Sequence, residues 1–113
     1  MADACLFCRI AQKEIPAQIV AENADCVAFR DINPQAPVHI LVIPRVHVAS
    51  VADVMDPTMI GKLTAVAKEL ARREGIAESG YRLVMNTNAD AGQTVFHLHL
   101  HLLGGRTMGW PPG

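Results

Sequence analysis

Between Phe96 and Gly105 the chain reads FHLHLHLLGG, with histidine at 97, 99 and 101 and leucine at 98, 100 and 102. Strict alternation has the period of a β-strand, whose successive side chains point to opposite faces; no helical face can collect it. One face of this strand is apolar and needs a covering layer. The other carries three imidazoles spaced by about 7 Å. Rings this close titrate as a coupled set and need a polar occupant. A lone histidine on a strand is more often structural than catalytic, but three in register are poorly explained that way. The segment therefore predicts a sheet with one core face and one chemically active face.

The rest of the chain is patterned to match. LFCRIAQKEI, before Pro16, reads as a short helix. QIVAE and DCVAFRDI are strand segments joined across the turn-prone Asn23 to Asp25, a hairpin pattern. After the loop NPQAP, VHILVIP is a nearly continuous apolar run ended by Pro44, as expected of a strand buried on both faces. Asp56 is an N-cap type and Pro57 suits a first helical turn. Ile60, Leu63, Ala67, Leu70 and Ala71 then mark one amphipathic helix ending before Gly75. YRLVMNT and TVFHLHLHLLGG follow as two more strands around the turn-rich NADAGQ. Strands that are mostly adjacent in sequence, with one helical crossover, predict an α+β domain: a five-stranded antiparallel sheet with two helices over one face. No linker or repeat interrupts the 113 residues, so residues 1–113 are expected to form one domain.

Charge and composition exclude several classes. Half the residues are hydrophobic and 19% are charged, and no apolar run approaches the roughly 18 to 20 residues of a membrane span. No membrane association is expected. The N-terminal stretch carries Asp3 and has neither a basic start nor a long apolar core. It does not read as a secretory signal, and the expected compartment is the cytoplasm. A net charge of -1, with no basic cluster longer than Arg72-Arg73, offers nothing to a nucleic acid. Three cysteines are an odd number, two of them arranged as Cys5-x-x-Cys8. In a reducing compartment that pair points to metal ligation or redox chemistry rather than a disulfide framework. A redox pair normally sits in a βαβ context, which is lacking here. Cys26, within a strand, reads as a small buried apolar residue.

Two chemistries suit the histidine face. His-x-His on a strand can hold a zinc ion with an open position that activates water. Alternatively, one neutral imidazole attacks an electrophile such as phosphorus while its neighbours orient it and bind charged oxygens. Upstream, Asn86 and the Gly92-Gln93-Thr94 loop can turn backbone N–H groups toward an anion, which favours phosphate.

The stretch from His97 to Leu103 resembles the pattern His-φ-His-φ-His-φ-φ, with φ apolar, that names the histidine triad (HIT) superfamily. CLFCRIAQKEIPA, FRDINPQAPVHILVIPRVH, AGQTVFHLHLHLLGGR and the ending WPPG extend the resemblance over nearly the whole chain, toward the Hint branch. The resemblance implies a HIT fold and a homodimer in which two five-stranded sheets join into one of ten strands. It implies a purine nucleoside phosphoramidate hydrolase of the adenosine 5'-monophosphoramidate type, acting through a covalent nucleotidyl-histidine intermediate. Alternatives are a nucleotide-binding interaction protein with incidental hydrolysis, a diadenosine polyphosphate hydrolase from a neighbouring branch, and a metal-dependent hydrolase using the triad as ligands.

The resemblance also distributes roles. His99 is the implied nucleophile, His101 a phosphoryl contact, and His39 a further histidine behind the triad. Asn86, Gly92, Gln93, Thr94 and Val95 surround the phosphate. Thr94 stands where many Hint proteins have serine, so it keeps a hydroxyl for the leaving group and adds a methyl. Phe7, Ile10, Phe29 and Ile32 form the implied nucleoside slot, with Asp31 on the ribose. Cys5, Cys8, His47 and His97 supply a set of four ligands for one structural zinc per chain; no metal is implied for catalysis. Trp110, in the C-terminal segment, is implied to lie near the partner's active site.

Overall fold

The structure, a computed structural model, describes residues 4–113; Asp3, at the N-terminus read above, lies outside the described residues. Strands β1 (Ile19–Glu22), β2 (Cys26–Arg30), β3 (Val38–Pro44), β4 (Tyr81–Val84) and β5 (Leu100–Gly104) form one sheet of order β1-β2-β3-β5-β4. Every pairing is antiparallel. Helices α1 (Leu6–Ala11) and α2 (Thr58–Arg73) complete an α+β fold of five strands and two helices, as the patterning predicts.

Local chemistry explains the element boundaries. The β1–β2 turn closes because Asn23 Oδ1 accepts from the backbone N–H groups of Asp25 and Cys26, both at 2.8 Å. The continuous apolar run of β3 occupies the central position, flanked by β2 and β5. Asp56 starts α2 by accepting from the Thr58 N–H at 3.0 Å and the Thr58 hydroxyl at 2.8 Å. Leu63, Ala67, Leu70 and Ala71 form the buried face of α2, and Gly75 follows its end at a φ of 76°.

Three features differ from the sequence expectation. First, α1 ends at Ala11 instead of continuing to Ile15. The Lys13 N–H donates to the Ile10 carbonyl and the Glu14 N–H to the Arg9 carbonyl, with Lys13 at a φ of 61°. These paired bonds are a Schellman stop, which frees Ile15, Pro16 and Ala17 from the helix.

Second, the two helices lie on opposite faces of the sheet. Cys26, Ala28, Ile40, Val42, Leu98, Leu100 and Leu102 pack with α2. The alternate residues Val27, Phe29, Leu41 and Ile43 pack with Phe7, Ile10 and Ala11 of α1. Both sets are apolar, so β2 and β3 cannot be served by one layer; α1 covers the histidine face.

Third, the β5 ladder begins at Leu100, well after Thr94. Residues 94–99 lie instead beside the loop after β3, where the Leu98 N–H donates to the Val48 carbonyl at 2.6 Å. Pro44 ends β3 and has no N–H with which to continue the ladder. The alternation survives this detachment, because Leu98, Leu100 and Leu102 are all buried under α2.

Candidate active site and metal centre

On the α1 face a cleft of about 300 Å³ opens between α1, the Ile15–Ala17 segment, the end of β2 and the histidine segment. Phe7, Ile10, Phe29, Asp31, Ile32, Val95, His99 and His101 all line it, together with Leu6, Ile15, Pro16, Ala17, Arg30 and Leu41. The Phe7 ring meets Phe29 and His99 edge-on, with centroids 5.3 and 5.1 Å apart. One wall is thus apolar, while two imidazoles and a carboxylate stand on the other side.

Hydrogen bonds assign the proton on each ring, because a carbonyl oxygen can only accept and a backbone N–H can only donate. His99 Nδ1 lies 2.7 Å from the His97 carbonyl, so Nδ1 carries the hydrogen. Its Nε2 keeps the lone pair and makes no hydrogen bond among the described residues. The Gln35 N–H donates to His39 Nδ1 at 3.0 Å. A neutral His39 therefore carries its hydrogen on Nε2, which donates to His101 Nδ1 at 2.9 Å. That bond leaves the His101 hydrogen on Nε2, a buried atom with no partner among the described residues. The result is one nucleophilic lone pair on His99 and one unsatisfied donor on His101.

Burial favours the neutral form of His39 and His101. Desolvation lowers the His39 pKa against an opposing pull from Asp31. Desolvation, followed by the neighbouring His99 and His39, brings His101 from its ordinary 6.5 to about 4, with Asp31 again opposing. The unfolded chain thus binds more protons than the folded one between pH 6.5 and about 4. Stability contributed by His101 is complete above that window, is lost as pH falls through it, and changes no further below it. Urea midpoints measured at about pH 7.5 and about pH 5 should fall on acidification, and His101→Asn should remove part of that slope. An unchanged slope in the variant would exclude this linkage.

A second cluster lies at the N-terminus of α1. His97 is fully buried, and its Nε2–H donates to the Pro44 carbonyl at 2.8 Å, which leaves Nδ1 with a bare lone pair. That atom lies 3.4 Å from Cys5 Sγ, 3.4 Å from Cys8 Sγ and 3.2 Å from His47 Nδ1. Cys8 Sγ and His47 Nδ1 are 3.3 Å apart. A tetrahedral ion bound at about 2.3 Å by sulfur and about 2.0 Å by nitrogen sets its ligand atoms about 3.3 to 3.8 Å apart. Donor chemistry and spacing therefore both fit, and Cys5, Cys8, His47 and His97 form a group able to hold a metal ion. Desolvation also lowers the His97 pKa, which keeps Nδ1 available as a ligand.

Other residues implied by the motif sit further from the cleft. Asn86 is half-buried, and Thr94 and Gly92 are exposed; none of the three lines the cleft. Gln93 is buried and already occupied. Its Nε2 donates to the Ala49 and Val95 carbonyls at 2.7 and 3.2 Å, and its Oε1 accepts from the Asn88 N–H at 2.8 Å. It braces the loop, and Gly92 supports the same turn with a φ of 84°. Ile32 is 98% exposed at the rim and Trp110 is 83% exposed. The wall formed by Ile15, Pro16 and Ala17 escaped sequence reasoning, although it directly follows the helix motif; only the early stop of α1 reveals its place.

The profile of the HIT domain matches residues 12–108. The chain belongs to the HIT family. It is 50% identical to the purine nucleoside phosphoramidase of Escherichia coli K12, over 96% of this chain and 93% of that protein. An uncharacterized HIT-like protein of Synechococcus elongatus is likewise 50% identical, over the full length of both chains. Among solved structures, a HIT family hydrolase from Legionella pneumophila superposes with a TM-score of 0.94 at 56% identity, over 96% of this chain and 99% of that one. Within this HIT fold, α1 and the histidine segment supply both the cleft and the four-ligand centre, so the two sites share elements. Among the described residues, no helix is long and apolar enough to cross a membrane.

Proposed function

We propose that this HIT protein hydrolyses purine nucleoside 5'-phosphoramidates of the adenosine 5'-monophosphoramidate type through a nucleotidyl-His99 intermediate. One observation carries the reading. His99 Nδ1–H is held by the His97 carbonyl at 2.7 Å, so the opposite nitrogen presents its lone pair beside a nucleoside-sized apolar cleft. The phosphoramidase name of the Escherichia coli relative supports the same substrate class.

In this reading Phe7, Ile10, Phe29 and Ile32 hold the base and Asp31 accepts from the ribose hydroxyls. His99 Nε2 attacks the α-phosphorus as the P–N bond breaks, and water then displaces His99 to release the nucleotide. His101 Nε2–H, the N–H groups of Thr94 and Val95, and the Asn86 amide balance charge developing on the phosphoryl oxygens. The Thr94 hydroxyl serves the leaving amine. His39 sets the hydrogen-bonding role of His101, while Gly92 and Gln93 hold the phosphate loop in shape.

The four-ligand centre is assigned to one structural zinc per chain, whose chemistry is to draw two thiolates and two neutral rings together. A homodimer is assigned through the sheet edge at β4, where Tyr81 and Leu83 are each 37% exposed. The reduced thiol ligands suit the cytoplasm.

The test is steady-state hydrolysis of adenosine 5'-phosphoramidate with and without excess chelator, with mass analysis of enzyme quenched without acid. Chelator-insensitive turnover with an adenylyl adduct is expected. Turnover that disappears with metal while the fold persists, with no adduct formed, would assign the histidines to a metal-dependent hydrolase instead.

A further inference from the structure

Asp31 lies at the junction of the nucleoside cleft and the histidine chain, and its contacts exceed what ribose binding requires. Its backbone N–H donates to the His39 carbonyl at 3.0 Å, which fixes the residue against β3. Oδ1 accepts from the Asn33 N–H at 2.9 Å. Oδ2 lies 3.5 Å from His39 Nε2, the same nitrogen that donates to His101 Nδ1 at 2.9 Å. A carboxylate has about four acceptor positions, so lone pairs remain for a ribose.

The direction of the histidine bonds gives Oδ2 a second use. In the free protein His101 Nδ1 is blocked as a base, because the His39 Nε2–H already points at it. His39 cannot reverse its hydrogens, since its Nδ1 accepts the Gln35 N–H. His101 can become an imidazolium only if the His39 Nε2–H turns to another acceptor. Asp31 Oδ2 is the acceptor in reach.

Resting on the phosphoramidase reading, we infer that Asp31 is a positioning residue for the His39–His101 pair as well as a ribose ligand. When the negatively charged phosphoryl group enters, the His39 Nε2–H passes its hydrogen bond from His101 to Asp31 Oδ2. His101 Nδ1 takes a proton from solvent, and the ring then faces the phosphoryl oxygens as a cation. No other bond changes in this step. The groups that act on His101 are His99 in its own segment, His39 on β3 and Asp31 after β2; of these, Asp31 alone favours the cation. One carboxylate thereby links recognition of the sugar to the charge presented at phosphorus.

Ribose binding and histidine positioning separate in a cycle of Asp31→Asn against adenosine 5'-phosphoramidate and its 2',3'-dideoxy analogue. Asparagine keeps an oxygen for the Asn33 N–H, so the local turn is retained. With the dideoxy substrate there are no hydroxyls left to bind. A residue serving only the ribose would then leave variant and wild type equal. The expected result is a further loss of about tenfold, in kcat rather than KM, with the dideoxy substrate. The limb on which kcat declines with rising pH should also move to lower pH in the variant, because the cation has lost its counter-charge. Equal kcat and superimposable pH profiles for the two proteins on the dideoxy substrate would overturn the inference. Wild-type protein inactive on the ribose substrate would instead reject the phosphoramidase reading itself.

Discussion

Replacing His99 by alanine is expected to lower kcat for adenosine 5'-phosphoramidate by about 10,000-fold or more, while AMP affinity changes by only a few-fold. The asymmetry follows from geometry. In the proposed reading, affinity is spread over the cleft lining of Phe7, Ile10, Phe29, Asp31 and the Ile15–Ala17 wall, and His99 adds one edge contact to Phe7, with ring centroids 5.1 Å apart. Bond formation at phosphorus, by contrast, has a single suitably directed lone pair. His101 cannot replace it, since its Nε2 carries a hydrogen and its Nδ1 is taken up by His39 at 2.9 Å. The cavity left by alanine costs stability, so folding should be checked by circular dichroism before kinetics are compared. Retained turnover, or an adduct on another residue, would remove His99 as the nucleophile.

The second large effect concerns the metal. Purified wild-type protein is expected to hold about one zinc per chain, and Cys8→Ser should leave it substoichiometric. Cys8 Sγ approaches both His47 Nδ1, at 3.3 Å, and His97 Nδ1, at 3.4 Å, so this thiol is central to the set. Loss of a structural metal belongs to the rare class of changes above about 4 kcal/mol, and the melting temperature should fall by more than about 10 °C. The loss should be felt in the cleft too. Phe7 lies between the two cysteines in sequence and touches His99, while the His97 carbonyl holds His99 Nδ1. Wild-type protein purified without chelator and found free of metal would dispose of the zinc assignment.

Much of the fold was legible because local rules and tertiary demands agreed. The apolar run 38–44 coincides with β3, and Asp56, Pro57 and the stripe from Ile60 to Ala71 correctly located α2. The alternation from His97 to Leu102 correctly placed the leucines in the core under α2, even where the ladder was absent. Less legible were features that depend on contacts between distant segments. Nothing in LFCRIAQKEI announced a stop at Ala11, because Lys13 has to adopt a left-handed conformation that its type rarely takes. Nor did the apolar pattern say that α1 would cover the histidine face. Placing it there depended on Val27, Phe29, Leu41 and Ile43 forming a second apolar surface.

What the sequence determined by itself was the inventory: an alternating segment with three imidazoles on one side, a cysteine pair of metal-ligand type, and a sheet and crossover helix to carry both. Those follow from periodicity and side-chain chemistry, which are local properties. Only the tertiary structure decided which nitrogen of each ring carries the hydrogen. A neutral imidazole is donor or acceptor at each nitrogen according to its neighbour, and two of the three neighbours are remote: Pro44 for His97 across 53 positions and His39 for His101 across 62, whereas His99 is set by the His97 carbonyl two positions away. Three residues of one type thus present three different atoms: a bare Nδ1 on His97, a bare Nε2 on His99 and an Nε2–H on His101.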